Sequence, residues 1–270
     1  MSGRVATLAD AGLPAPPPLV SDVSPWLLLG VFGAIVVAAI AWAISLAVKE
    51  RDFLPIACCA GALVASFNEP IYDILGKIVY AENNPMAFNA FGRAIPWFLV
   101  IGYLPWVGLA PYVVYKKMEA GISRRTLHIA AGLLFVSVVV IETFGNLLHL
   151  WLYYGEAPMK FLVVAPQQVA LPLLGGFLLY ALAGQASGWR RPAIGFVVAA
   201  VALPIVYAGA SWPVYVALYS DLPAGLDWLL SVVMLGLCVA MGVAATFLAE
   251  KWRAGLGSRQ STPQTDPALV

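Results

Sequence analysis

Seven apolar stretches run through this chain of 270 residues and leave it few ways to fold. They lie near 26–48, 53–79, 94–115, 125–153, 162–184, 193–218 and 226–249, each close to the about 20 residues that carry a helix across hydrocarbon. With 61% hydrophobic and 11% charged residues, the chain is far more apolar than a soluble domain, in which about a quarter of residues are charged. Hydrocarbon offers no partner to an open backbone, so spans of this length read as helices. The expected fold is all-α, a polytopic membrane protein with a seven-transmembrane-helix bundle over 26–250. Flexible tails are expected at 1–25, which lacks the apolar core of a signal peptide, and at 251–270.

Basic residues set the expected orientation. Lys49, Arg51, Lys116, Lys117, Arg124, Arg125, Arg190, Arg191, Lys251, Arg253 and Arg259 fall at one end of the alternating spans. Arg4, Lys77, Arg93 and Lys160 fall at or near the other. The bias of Lys and Arg toward the cytoplasm predicts an outside N-terminus and a cytoplasmic C-terminus, in a bacterial inner or plasma membrane. A net charge of +1 makes no electrostatic case for nucleic acid. The expected surroundings are the lipid bilayer and a lipophilic small molecule. Cys58, Cys59 and Cys238 sit in apolar runs and read as core-filling thiols.

Against this apolar background, Ser66-Phe67-Asn68-Glu69-Pro70-Ile71-Tyr72-Asp73 places two carboxyls inside the second segment. An acidic group at membrane depth costs about 2.5–3.5 kcal/mol on insertion scales, so it marks a protein interior or a wet cavity. Pro70 cannot donate to the carbonyl of Ser66, which predicts a kink. Counting from Asp52 to Glu69 and from Arg125 to Glu142 gives the same rise, about 25 Å. The two glutamates are therefore expected at one level. Helical spacing from Glu142 adds Asn146, His149 and Tyr153 as one polar stripe, and from Glu69 adds Asp73, Lys77 and Tyr80. Two such stripes at one depth predict a shared cavity.

Other spans offer polar groups at the same level: Arg93, Tyr103, Gln167, Gln168, Tyr207, Ser211, Trp212 and Tyr215. The plainer reading of Trp97, Tyr154, Tyr219 and Trp228 is an aromatic belt. His128 reads as interfacial, and Asp221 and Asp227 as solvated or capping groups. Three buried carboxyls are harder to explain as frame, because buried ion pairs stabilise weakly. The candidate catalytic groups are Glu69, Asp73, Glu142, Asn146 and His149. The candidate substrate-binding groups are Asn68, Arg93, Tyr103, Tyr153, Gln167, Tyr207 and Trp212.

Several chemistries are disfavoured. A retinal Schiff base needs a lysine in the last span, and 226–249 has none. The chain carries no zinc-protease, nucleophile-elbow or phosphate-loop motif. The paired Glu-x-x-His motifs of a di-metal centre are also missing, so no metal and no cofactor is expected.

Asn68-Glu69-Pro70-Ile71-Tyr72-Asp73, Arg93-Ala94-Ile95-Pro96-Trp97 with Tyr103, and Glu142 followed by His149 and Tyr153-Tyr154-Gly155 resemble the AveC-like spirocyclase family of integral membrane proteins. The similarity covers about 26–250, and Glu-Pro-x-x-Asp is its most specific part. The resemblance implies spiroketal formation, dehydration, or both, on a lipophilic polyketide- or isoprenoid-like substrate. That chemistry protonates a leaving hydroxyl, stabilises an oxocarbenium-like cation and deprotonates the attacking hydroxyl. Two close carboxyls in low dielectric do not both ionise readily, so one can serve as acid and the other as base. The same residues also suit a membrane terpene cyclase or, in another class, a proton-coupled transporter or receptor, although no inverted repeat is evident.

Overall fold

The computed structural model describes residues 15–156, 158 and 165–260. The outer parts of both expected tails, Arg4, Lys160 and the first residues of the fifth segment lie outside them. Among the described residues, seven helical spans are long and apolar enough to cross a membrane: Pro25–Lys49, Leu54–Leu75, Trp97–Glu119, Arg124–Leu147, Pro166–Ala183, Arg190–Ala210 and Ala224–Leu256.

Three of these spans are unbroken from end to end without an internal proline, α1 (Pro25–Lys49), α6 (Arg124–Leu147) and α10 (Ala224–Gln260). The second comprises α2 (Leu54–Ala65), a tight turn at Ser66–Asn68 and α3 (Glu69–Leu75). The break falls at the expected place, since Pro70 begins a new helix more readily than it continues an old one. The carbonyl of Ser66 is taken up by the N–H of Glu69. Asn68 Nδ2 donates to the carbonyl of Ala65 at 3.2 Å. The third span is α4 (Trp97–Tyr103), a wide π turn at Leu104–Leu109 and α5 (Ala110–Glu119).

After α7 (Ala165–Leu178) come α8 (Arg190–Ala210), the short α9 (Trp212–Leu218) and α10 (Ala224–Gln260). Two expected boundaries shift here. The sixth segment breaks at Ser211 instead of running through to 218, and α10 continues to Gln260, so residues 251–260 are helix rather than tail.

Glycine sets how closely the central helices approach. A Cβ on Gly61 would fall on the carbonyl of Phe196, so α2 and α8 touch backbone to backbone. A Cβ on Gly108 would stand 2.9 Å from the carbonyl oxygen of Cys58. Small residues at helix contacts are how membrane helices gain packing where lipid supplies no hydrophobic drive. The α2–α3 span and α7 are accordingly central, with 56% and 61% of their apolar windows buried. By contrast, α1 and α6 are peripheral at 11% and 17%, and present Val37, Leu133 and Val136 outward.

The largest departure from the sequence expectation is where the second and fourth spans end. Segments extrapolated to 79 and 153 stop as helices at Leu75 and Leu147. In each, a non-glycine residue just beyond the end takes a left-handed conformation, Lys77 (φ 50) and His149 (φ 51). At α6 the N–H of His149 bonds the carbonyl of Asn146 at 3.2 Å, and that of Leu150 bonds Gly145 at 2.8 Å. This is the hydrogen-bond pattern that terminates a helix and turns the chain away. Both chains then run extended, as β1 (Ile78–Tyr80) and β4 (Trp151–Tyr153), and pair antiparallel with Tyr80 opposite Trp151. A second hairpin, β2 (Met86–Ala90) with β3 (Arg93–Pro96), leads into α4.

Part of the expected N-terminal tail straps this end of the bundle. Glu82 N donates to Leu19 O at 2.8 Å, and Ser21 Oγ donates to Leu148 O at 3.2 Å.

Candidate active site

Glu69 starts α3 and Glu142 lies near the end of α6, and both are buried, at 8% and 6% exposure. Their helices are not packed as a pair. Instead α6 lies mainly against α7 and α10, and the β1–β4 ribbon joins it to α3. Strand alternation turns Tyr80, Trp151 and Tyr153 into the bundle, and all three reach the glutamates.

Tyr80 donates its hydroxyl to Glu69 Oε1 at 2.8 Å. The Tyr103 hydroxyl, from the end of α4, donates to Oε2. Trp151 Nε1 and the Tyr153 hydroxyl donate to Glu142 Oε2 at 2.8 and 2.7 Å. Among the described residues, Glu142 Oε1 has only a long contact of 3.4 Å, from Gln168 Nε2. The two carboxyls are linked through the ribbon, where Tyr80 on Glu69 pairs across the strands with Trp151 on Glu142.

Aromatic rings fill the space around them. Tyr72 and Tyr207 stack with centroids 4.5 Å apart, and Phe98 stands 6.1 Å from Tyr80 and 6.4 Å from Trp151. Burial, then the charges of Glu69 and Asp73 and the bond to Glu69, hold the Tyr80 phenol well above its usual value of 10.0. Burial and then the charge and hydrogen bond of Glu142 do the same to Tyr153. Both phenols are therefore neutral donors. Their contribution to stability is complete below about pH 10 and is lost as the pH rises through the higher folded-state values. In an alkaline absorbance titration these two tyrosines are expected to ionise only together with unfolding. Their ionisation alongside the exposed tyrosines, with the fold intact, would contradict the clamp.

The other sequence candidates divide. Tyr103 and Tyr153 touch the carboxyls, and Tyr207 lines the aromatic layer. Asn146 bonds backbone instead, donating to the carbonyl of Glu142 at 2.9 Å and accepting from Tyr153 N at 3.4 Å. Asn68 serves the helix break. Gln167 is fully buried and donates to Ser211 Oγ at 2.7 Å. Asp73 and Arg93 are buried beside α3 but do not contact either glutamate by a hydrogen bond.

Two candidates lie outside the site. His149 would join the polar stripe if α6 continued, but its left-handed backbone sends the ring outward to Asp22 Oδ2 at 2.7 Å. Trp212 is 49% exposed, because α8 ends two residues before it and α9 starts there.

Sequence reasoning missed Trp151 altogether. The one signal was the every-second-residue spacing of Trp151 and Tyr153, which becomes visible only if the helix is known to have ended. Tyr154, read as a belt residue, instead receives a hydrogen bond from Arg93 Nη2. Among the described residues, no group of three or more His, Cys, Asp or Glu side chains converges as a metal site would require. No family model, curated protein or solved structure matches the chain.

Proposed function

We propose that this protein is a membrane-embedded cyclase that uses Glu69 and Glu142 as an acid/base pair on a lipophilic polyketide- or isoprenoid-like substrate, by spiroketal formation, dehydration or both. The observation that carries this reading is the paired clamp: two buried glutamates from different spans, each held by neutral O–H or N–H donors beside an aromatic layer. The resemblance to AveC-like spirocyclases points the same way.

The clamps suggest distinct roles. Both oxygens of Glu69 accept phenol hydrogens, an arrangement that suits a carboxylate. Glu142 has one well-bonded oxygen and one nearly free, so its Oε1 can carry a proton to deliver. In a hemiketal substrate, Glu142 protonates the leaving hydroxyl, which departs as water and leaves an oxocarbenium ion. The Tyr72 and Tyr207 ring faces and the Glu69 carboxylate stabilise that cation. The second hydroxyl attacks the cationic carbon and gives up its proton to Glu69. Water is the only loss, and proton return from Glu69 to Glu142 restores the pair. In this reading the ribbon end faces outward and the basic end faces the cytoplasm of a bacterial plasma membrane.

The test is conversion by purified protein in detergent, where no membrane gradient exists. A product lighter by one water is the expected outcome with a lipophilic hydroxy-hemiketal or dihydroxyketone, and an isomer of unchanged mass would point to simple isomerising cyclisation instead. Movement of the compound across vesicle membranes without chemical change would replace the cyclase with a transporter.

A further inference from the structure

Two buried ionisable side chains, one acidic and one basic, lie next to the glutamates and are not used by them. Asp73 is 1% exposed, and among the described residues no donor reaches its Oδ1. Arg93 is 5% exposed. Its Nη2 donates to the Tyr154 hydroxyl and its guanidinium lies 5.6 Å from that ring centroid, while among the described residues Nε–H has no acceptor. β3 packs on α3 and brings the two side chains into the same part of the bundle. Among the described residues, however, no ion pair joins them.

A purely architectural ion pair would close this gap, since its Coulomb gain offsets desolvation only at contact and with the remaining valences filled. What the gap leaves open is chemically complementary. Asp73 offers an acceptor and Arg93 a donor. An alcohol satisfies both at once, its O–H donating to Asp73 and its oxygen accepting from Arg93. Asp73 follows Glu69 by one helical turn of α3, a rise of about 6 Å.

We propose that Asp73 and Arg93 form a recognition subsite for an alcohol hydroxyl of the lipophilic ligand, with O–H donating to Asp73 Oδ1 and the oxygen accepting from Arg93 Nε–H, one helical turn from Glu69. This deepens the cyclase reading and rests on it. It makes Asp73 a binding group and leaves the proton chemistry to the two glutamates. It also requires a ligand with a second oxygen function about one turn's rise from the reacting one.

The experiment pairs binding with stability in detergent. The probes are a long-chain diol with its hydroxyls about one helical turn apart and the matching monoalcohol, followed by tryptophan fluorescence. The wild type is expected to bind the diol at least tenfold more tightly, and the Asp73→Leu/Arg93→Leu double variant to bind the two probes equally. That variant is also expected to melt at or above the wild-type temperature, because a ligand-binding pair is carried at the expense of the empty fold. Absence of a diol preference in the wild type, including failure to bind either probe, overturns the proposal. So does a double variant that melts several degrees lower, which would make the pair part of the frame. Binding is read without turnover, so a diol preference in a protein that converts nothing would preserve the subsite and remove the cyclase.

Discussion

Exchange of either Glu69 or Glu142 for glutamine is expected to lower turnover by about 10²–10⁴-fold, the usual yield of a positioned general acid or base, while the protein still folds and still binds its ligand. Glutamine keeps the shape and one acceptor oxygen, and the surrounding donors determine whether that is enough for the fold. At Glu69 the partners are the hydroxyls of Tyr80 and Tyr103. A phenol can reverse its role and accept from the new amide, so neither tyrosine is stranded. At Glu142 the two strong donors converge on Oε2, where the glutamine oxygen can sit. Its amide nitrogen then faces Gln168, whose own amide can turn to accept. Both variants should therefore purify and melt close to wild type. Conversion of substrate at the wild-type rate by either one would end the two-acid mechanism. Loss of folding in both would show the clamps to be architecture.

The membrane-spanning helices were legible because a bilayer enforces length and apolarity so strictly that hydropathy alone finds them. The two glutamates were legible for the same reason, since a carboxyl at depth needs an explanation. Glycine contacts such as Gly61 against Phe196 could be appreciated only once the helices were placed. The ends of the second and fourth spans were opaque. A left-handed helix end is usually announced by glycine or asparagine, and here lysine and histidine occupy it. Helical counting therefore ran on past its domain. It still selected Tyr80 and Tyr153, because the ribbon folds back over the same faces, but it brought in His149 with them and passed over Trp151. Three-residue strands are too short for alternation to be told from chance. Trp212 misled for a related reason: nothing in its composition separated the Ser211 break from a continuous sixth helix.

Substitution of Gly145 by valine is expected to damage both carboxyl sites at once, although Gly145 touches neither carboxyl. A Cβ at this position would fall within the ring of Trp151. The ring has little room to retreat, because it packs near Phe98 and its strand is paired with β1. Overpacking of this kind costs about 1–3 kcal/mol, which a melting curve in detergent can read. The larger effect is on chemistry. Displacing the ring removes the Trp151 Nε1 bond from Glu142, and shifting β4 moves its partner Tyr80 away from Glu69. Turnover should then fall toward that of the glutamine variants. Trp151→Phe separates the two consequences: it removes the N–H while leaving most of the ring, so it should lower turnover with a smaller loss of stability. Combining Gly145→Val with Trp151→Leu should recover part of the melting temperature by vacating the space, without recovering turnover. A Gly145→Val protein with wild-type melting and wild-type turnover would mean that the ribbon does not hold the glutamates in their working positions.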